Sequence, residues 1–284
     1  MVSVVVGHRA TSVTIVGHGL EIPERFKLAP GIHVQPEVPT FEVEVAAEGC
    51  QTPHELFAVL SMRDIATFSI EVTHKGGPSA LGAKAWNALW DFHLLSVASG
   101  SPAFPLFTVS AGTNYTEFAI SNRNLIVNPV EQLTRVTNEQ LTWARASRRR
   151  FNSLISDERF GVAMRYFGNS HYLFDVESRV MLLWAGIEAL LAVDAEQSRR
   201  IALYCALMLD EDSAAKARYY DAVKKAYGVR SRVVHGKRLT KAARAEAYTT
   251  ASDILVRLLA KAVNLGRVPT QKDFDAVATA AKLK

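Results

Sequence analysis

The chain has 284 residues, 49% of them apolar and 21% charged, enough for a sizeable buried core in one large or two modest domains, which excludes a disordered protein. Two distant cysteines, Cys50 and Cys205, exclude a disulfide framework and fit a reducing cytoplasm. The net charge of +5 is mild, and the longest apolar run, Val180 to Val193, is broken by Glu188 and falls short of the roughly 20 apolar residues of a bilayer span. Arg9 follows the first apolar stretch, the reverse of a secretory signal, so neither a membrane span nor export is expected and the location expected is cytoplasmic.

Val2 to Val6, Ser12 to Val16 and Phe41 to Val45 are β-branched or alternate with period two, which predicts strands, and Pro23, Pro30, Pro36 and Pro39 mark a loop-rich passage between them. Helices are predicted from Pro53 to about Thr67 and from Ser79 to about Ser99, the second with Leu81, Trp86, Leu89, Trp90, Leu94 and Val97 at helical spacing. Strand-like runs return at Leu106 to Ser110, Tyr115 to Ile120 and Asn124 to Val127. Residues 1–135 therefore read as a mixed α and β domain.

From about Leu133 the pattern is helical to the end, which places an all-α bundle over 136–284 and makes the fold class α+β. The first helix, Gln140 to about Ile155, carries the run Arg145 to Arg150, a solvated face or a secondary nucleic-acid contact. A piece over Phe151 to Phe167 is ended by Gly168-Asn169-Ser170, and Asp175 to Val193 is a helix apolar nearly all round, central to the bundle. Gln197 to Leu209 follows, then a helix capped by Ser213 that runs to Tyr227 and is closed by Gly228 in the left-handed conformation. Thr240 caps the next, Lys241 to about Asn264, and a short basic tail helix follows Gly266 and Pro269.

Between Ala222 and Ala245 there is no Asp or Glu, whereas Lys224, Lys225, Arg230, Arg232, Lys237, Arg238, Lys241 and Arg244 crowd in, and a polyanion is favoured there. Within this stretch Arg230 and His235 stand with four residues between them. Histidine titrates near neutral pH and can serve as acid or base, while arginine offers a permanent planar fork of donors to a phosphate gaining charge in the transition state. Together they can cut RNA without a metal, by attack of the 2′-hydroxyl, which DNA lacks. On a regular helix residues five apart point about 140° away from one another. Either the segment starts in a turn after Gly228, or a second copy completes the site. Glu188, alone on its apolar helix, needs a partner, either Arg230 or Arg232, and a carboxylate holding Arg230 would fix its fork.

The text Ala226 to Gly236, AYGVRSRVVHG, resembles the signature of HEPN domains, and most closely the ApeA-like branch, in which an aromatic precedes Arg-Ser and the motif ends in Val-His-Gly. Trp184 to Leu191, with its Glu-Ala-Leu-Leu run, Gln197 to Ala206, and the aromatic-rich Tyr166 to Phe174 fit that branch in the same order. The resemblance covers about Trp143 to Arg267. It implies a helical bundle that forms a homodimer through the helical domain and acts as an endoribonuclease in bacterial anti-phage defence, a toxin-like system or RNA processing. By that resemblance Arg230 binds the scissile phosphate, His235 is acid or base and Ser231 takes the polar position after the arginine; Glu188, read from its place on the apolar helix, is expected to orient the pair. Arg232, Lys237, Arg238, Lys224 and Lys225 are the candidate RNA contacts.

The Asp-x-Asp pair of a partner nucleotidyltransferase and any P-loop are absent from residues 1–140, so the N-terminal domain is expected to sense a phage-derived or cellular trigger, or to set specificity. The histidines show no metal-ligand spacing and there is no Cys-x-x-Cys, so neither a metal nor another cofactor is expected. Two other readings are a non-catalytic HEPN protein that binds RNA or a partner protein, and a small-molecule or nucleotide-binding regulator centred on the N-terminal domain.

Overall fold

The computed structural model describes residues 4–7, 10–111, 116–121, 130, 132–193, 196–209 and 213–280. The chain divides into two compact units, Met1–Arg148 and Arg149–Lys284. The first is a sheet with helices and the second is helical, an α+β protein.

The first unit is built on β1 (Ser12–His18), whose Val13, Ile15 and Val16 are fully buried. After the two-residue β2 (Leu20–Glu21), β3 (Phe26–Ala29) and β4 (Ile32–Gln35) form a hairpin turned at Pro30-Gly31, with Gly31 at φ 65°. This hairpin lies inside the passage read as loop from its prolines, because Pro30 sits at the turn and leaves the strand N–H groups intact. Helices α1 (Val43–Gly49) and α2 (Pro53–Arg63) come next, then β5 (Phe68–Thr73), α3 (Gly77–Ser99), β6 (Phe104–Ala111) and β7 (Thr116–Ile120). The six-stranded antiparallel sheet has the order β3-β4-β5-β1-β6-β7, and β8 (Thr134–Arg135) pairs with β2 in a separate parallel pair.

Phe41 to Val45, read as a strand, enters α1 instead. Its alternating valines Val43 and Val45 remain exposed, only Ala46 of α1 is buried, and Glu44 in the first turn suits the positive end of the helix. Of the expected strand Val2 to Val6, residues 4–6 form no strand and the rest lies outside the described residues, as does the expected strand Asn124 to Val127.

Helix α4 (Asn138–Leu154) begins in the first unit and ends in the second, so the units divide 13 residues beyond the boundary read from composition. Two contacts tie its first turns to the sheet unit. Arg148 grips the fully buried Asp91 of α3 with both ends of its fork, at 2.7 and 3.0 Å, and Arg145 lies over the Phe26 ring at 4.9 Å. Arg150 donates to the Asn264 carbonyl at 2.8 Å. Three members of the arginine run are thus spent on the protein itself.

The second unit continues with α5 (Glu158–Ser170), α6 (Val176–Leu191), α7 (Gln197–Leu209), α8 (Ser213–Val234), α9 (Lys241–Leu265) and α10 (Gln271–Ala280). Gly168-Asn169-Ser170 forms the last turn of α5, with Gly168 and Ser170 buried, so the helix ends just after this run and not before it. Asp157, Asp175 and Thr240 cap α5, α6 and α9 through side-chain oxygens that accept backbone N–H bonds. Trp184 and Ile187 of α6 and Leu255, Leu258 and Leu259 of α9 are almost wholly buried. Among the described residues no helix is long and apolar enough to cross a membrane.

Candidate functional site

Helix α8 carries the Arg-His segment, and it is longer than its composition suggests. It does not close at Gly228, which has ordinary helical φ, lies exposed and has no atom within 4 Å of where a Cβ would stand. Neighbouring helix formers carry the chain across a glycine that costs only about 1 kcal/mol. The left-handed cap belongs to Gly236 at φ 71°. Gly236 N–H donates to Val233 O at 2.9 Å and Lys237 N–H to Arg232 O at 3.0 Å, the crossed pair of bonds of a Schellman end. The helix starts at Ser213 itself, and the residues just before it lie outside the described residues.

His235 is therefore the last residue before the cap, its N–H still bonded to Ser231 O at 3.1 Å, and it is exposed. The backbone is helical from Arg230 to Val234 and His235 follows it with its i−4 bond intact, which removes the irregular-turn alternative. The two side chains leave the helix about 140° apart and about 7.5 Å apart along its axis. One copy of this helix does not bring them together.

Arg230 faces inward, to α6. Its Nη2 lies 3.1 Å from Glu188 Oε1 and 3.4 Å from Oε2, and its guanidinium stands over the Tyr227 ring at 5.4 Å. Of the two partners the sequence allowed for Glu188, the structure selects Arg230. Arg232 is exposed. Only Nη2 of the guanidinium meets an acceptor among the described residues; Nε is enclosed without one, and the side chain is 25% exposed. The fork is held by one prong, with donor capacity left over.

Tyr227 completes the cluster. Its ring meets Trp184 edge-on at 5.2 Å, and its hydroxyl lies 3.2 Å from Glu188 Oε1 and 2.8 Å from Gln197 Oε1, so its one proton serves a single acceptor at a time. Burial, and then the Glu188 charge, raises the Tyr227 pKa against the opposing pull of Arg230, which keeps the hydroxyl protonated as a donor. Tyr227 stood out in the sequence only as a flanking aromatic, and Gln197 not at all. Their partnership crosses three helices and has no local signature.

The other candidates line the outer side of α8. Lys224, Gly228, Ser231 and His235 recur at intervals of four, three and four, which puts them on one stripe, with Ser231 half-buried and Lys224 and His235 exposed. Lys225 and Arg232, also exposed, fall beside it, within an arc of about 120°. Lys237 and Arg238 continue past the cap, exposed. Five cations and His235 thus share a solvent-facing surface, while Arg230 and Glu188 sit on the opposite, packed side. Among the described residues no three His, Cys, Asp or Glu side chains gather as a metal site. Cys205 is buried with its thiol pushed up to about 12 and Cys50 is half-buried at about 11, both by burial first, so neither is a ready nucleophile. Compared with protein-family models, with curated proteins and with solved structures, the chain has no match.

Proposed function

We propose that the protein is a metal-independent endoribonuclease of the HEPN type, in which Arg230 stabilises the scissile phosphate and His235 moves the proton. The observation that carries the reading is the pairing of Arg230 with Glu188 and Tyr227, which orients a permanently charged fork while leaving it partly exposed and only partly engaged. The acid-free stretch from Ala222 to Ala245, which includes the C-terminal turns of α8, supplies the field that would draw RNA in. Cleavage would leave a 2′,3′-cyclic phosphate and a 5′-hydroxyl, with Ser231 beside the pair as a polar contact.

Since the two side chains diverge on one helix, the working site joins Arg230 of one copy to His235 of a second. Two large apolar side chains support a docking surface for that copy. Met181, 43% exposed, lies seven residues before Glu188 on the same face of α6, and Phe174, 77% exposed, precedes that helix. In this reading the protein acts in bacterial anti-phage defence or a toxin-like system, and the N-terminal unit senses the phage-derived or cellular trigger.

The second reading is a non-catalytic RNA- or protein-binding module, favoured by the exposure of His235 away from Arg230. Incubation with total RNA in excess EDTA separates the two. The enzyme cuts, leaves cyclic phosphate ends, and loses cleavage in both Arg230→Ala and His235→Ala. Binding without cutting, with cell extract from infected cells as the source of trigger, sinks the first reading in favour of the second.

A further inference from the structure

At the end of the helical unit away from Gly236, a cleft of about 490 Å³ opens between α7, α8, α9 and α10. This is within the roughly 300–1,000 Å³ range of small-molecule pockets. Its floor is apolar: Met208 and Phe274 are buried, and Phe274 stacks flat on Tyr204 at 4.1 Å, 6° from parallel. Leu265 and Val277, 47% and 43% exposed, extend that surface to solvent.

Three cations border the cleft, in two different states. Arg267 is consumed by a two-pronged ion pair with Asp273, both contacts at 2.7 Å. Asp273 also accepts from the Thr270 N–H and hydroxyl, and these bonds hold its carboxyl far below the usual range. That pair pins the turn before α10 and leaves no charge to offer. Lys216 of α8 and Lys261 of α9 are both half-buried, and their ammonium groups meet no acceptor among the described residues. Half-buried ammonium groups without a counter-charge among the described residues, beside an exposed apolar floor, are complementary to one kind of molecule.

We infer that this cleft binds an amphipathic anion, with an apolar body against Met208, Phe274, Leu265 and Val277 and a carboxylate or phosphate head at Lys216 and Lys261. The site is separate from the Arg230 cluster, since Lys216 lies 14 residues before Arg230, about 21 Å along α8. It requires no ribonuclease activity. A ligand there would join the first turns of α8 to the last turns of α9 and to α10.

The test is fluorescence titration with anilinonaphthalene sulfonate, itself an apolar body with one anionic head, on the full chain. Decanoate and decyl phosphate, below their micelle concentrations, are expected to displace the dye, and their relative strength tells a carboxylate from a phosphate site. Decyltrimethylammonium is expected to leave the dye in place. Lys216→Gln with Lys261→Gln is expected to weaken dye binding about tenfold or more with the circular dichroism spectrum unchanged. His235→Ala should bind the dye as the wild type does. The inference is overturned if no dye binds, if the cationic detergent competes as well as decanoate, or if the double variant binds like the wild type.

Discussion

Arg230 Nη2 and Glu188 Oε1 meet at 3.1 Å and tie α8 to the central helix α6. Glu188→Gln keeps the shape and removes the charge, so the pair loses its charge-assisted bond. Urea unfolding is expected to show a loss of about 1–3 kcal/mol, as both side chains are mostly but not wholly buried. If Arg230 acts on RNA, the same variant binds RNA at least as tightly, having lost a negative charge, but cuts it about tenfold more slowly because the fork is no longer held. Single-turnover cleavage beside a binding titration reads the two effects separately.

The two glycines flanking the Arg-His pair respond in opposite directions. Gly228→Ala adds a Cβ in open space on a regular helix and is expected to stabilise by up to about 1 kcal/mol. Gly236→Ala forces a side chain onto φ 71° and is expected to destabilise by about 1 kcal/mol. A destabilised Gly228→Ala would mean that α8 ends where its sequence suggests, before Arg230.

Asp91 is fully buried and answered only by Arg148 among the described charges. Asp91→Ala leaves the guanidinium without its counter-charge and is expected to cost about 3–5 kcal/mol. Pairing Asp91→Leu with Arg148→Met is expected to recover most of that loss, since both buried charges go. Denaturant midpoints of the three chains decide it.

His18 contributes to the pH dependence of the sheet unit, beside His33 and His93, whose pKa values burial also lowers, that of His93 to about 4. His18 is 3% exposed, its Nε2 accepts the Val130 N–H at 2.8 Å, and burial lowers its pKa below the ordinary 6.5. Protonation therefore favours the unfolded chain. The contribution is fully present above pH 6.5 and is lost as the pH falls through the lower folded value. Thermal unfolding from pH 7.5 to 5 is expected to show a fall in Tm that His18→Gln makes shallower, the remainder belonging to His93 and His33. An equal fall in the variant would assign the effect elsewhere.

Much of the helical unit is legible in the chain's local signals. Gln197 to Leu209 is recovered as α7 residue for residue, and Thr240 and Gly266 mark the two ends of α9. These features depend on spacing and caps, which are local. One misreading, Phe41 to Val45, followed alternating valines that lie exposed on α1, and in the others a glycine or a proline was given the final say. Gly228 and Gly168 sit inside helices whose neighbours hold the conformation, and the prolines of residues 23–39 flank a hairpin paired with β5, an interaction no window of the sequence contains. Within the site, Glu188 stood out as a charge on an apolar helix, with Arg230 as one of two partners open to it. The contribution of Gln197 did not, since it depends on where α7 begins relative to α6 and α8.

The central claim is that Arg230 of one copy works with His235 of another, and mixing the two inactive variants tests it most directly. Under conditions where the wild type cuts RNA, Arg230→Ala and His235→Ala are each expected to be silent alone. Unfolded and refolded together at equal amounts, half the dimers are mixed, each with one intact Arg-His pair in two, so about a quarter of wild-type cleavage is expected to return. A mixture that stays as silent as its components, with mixed dimers shown to form, contradicts the claim.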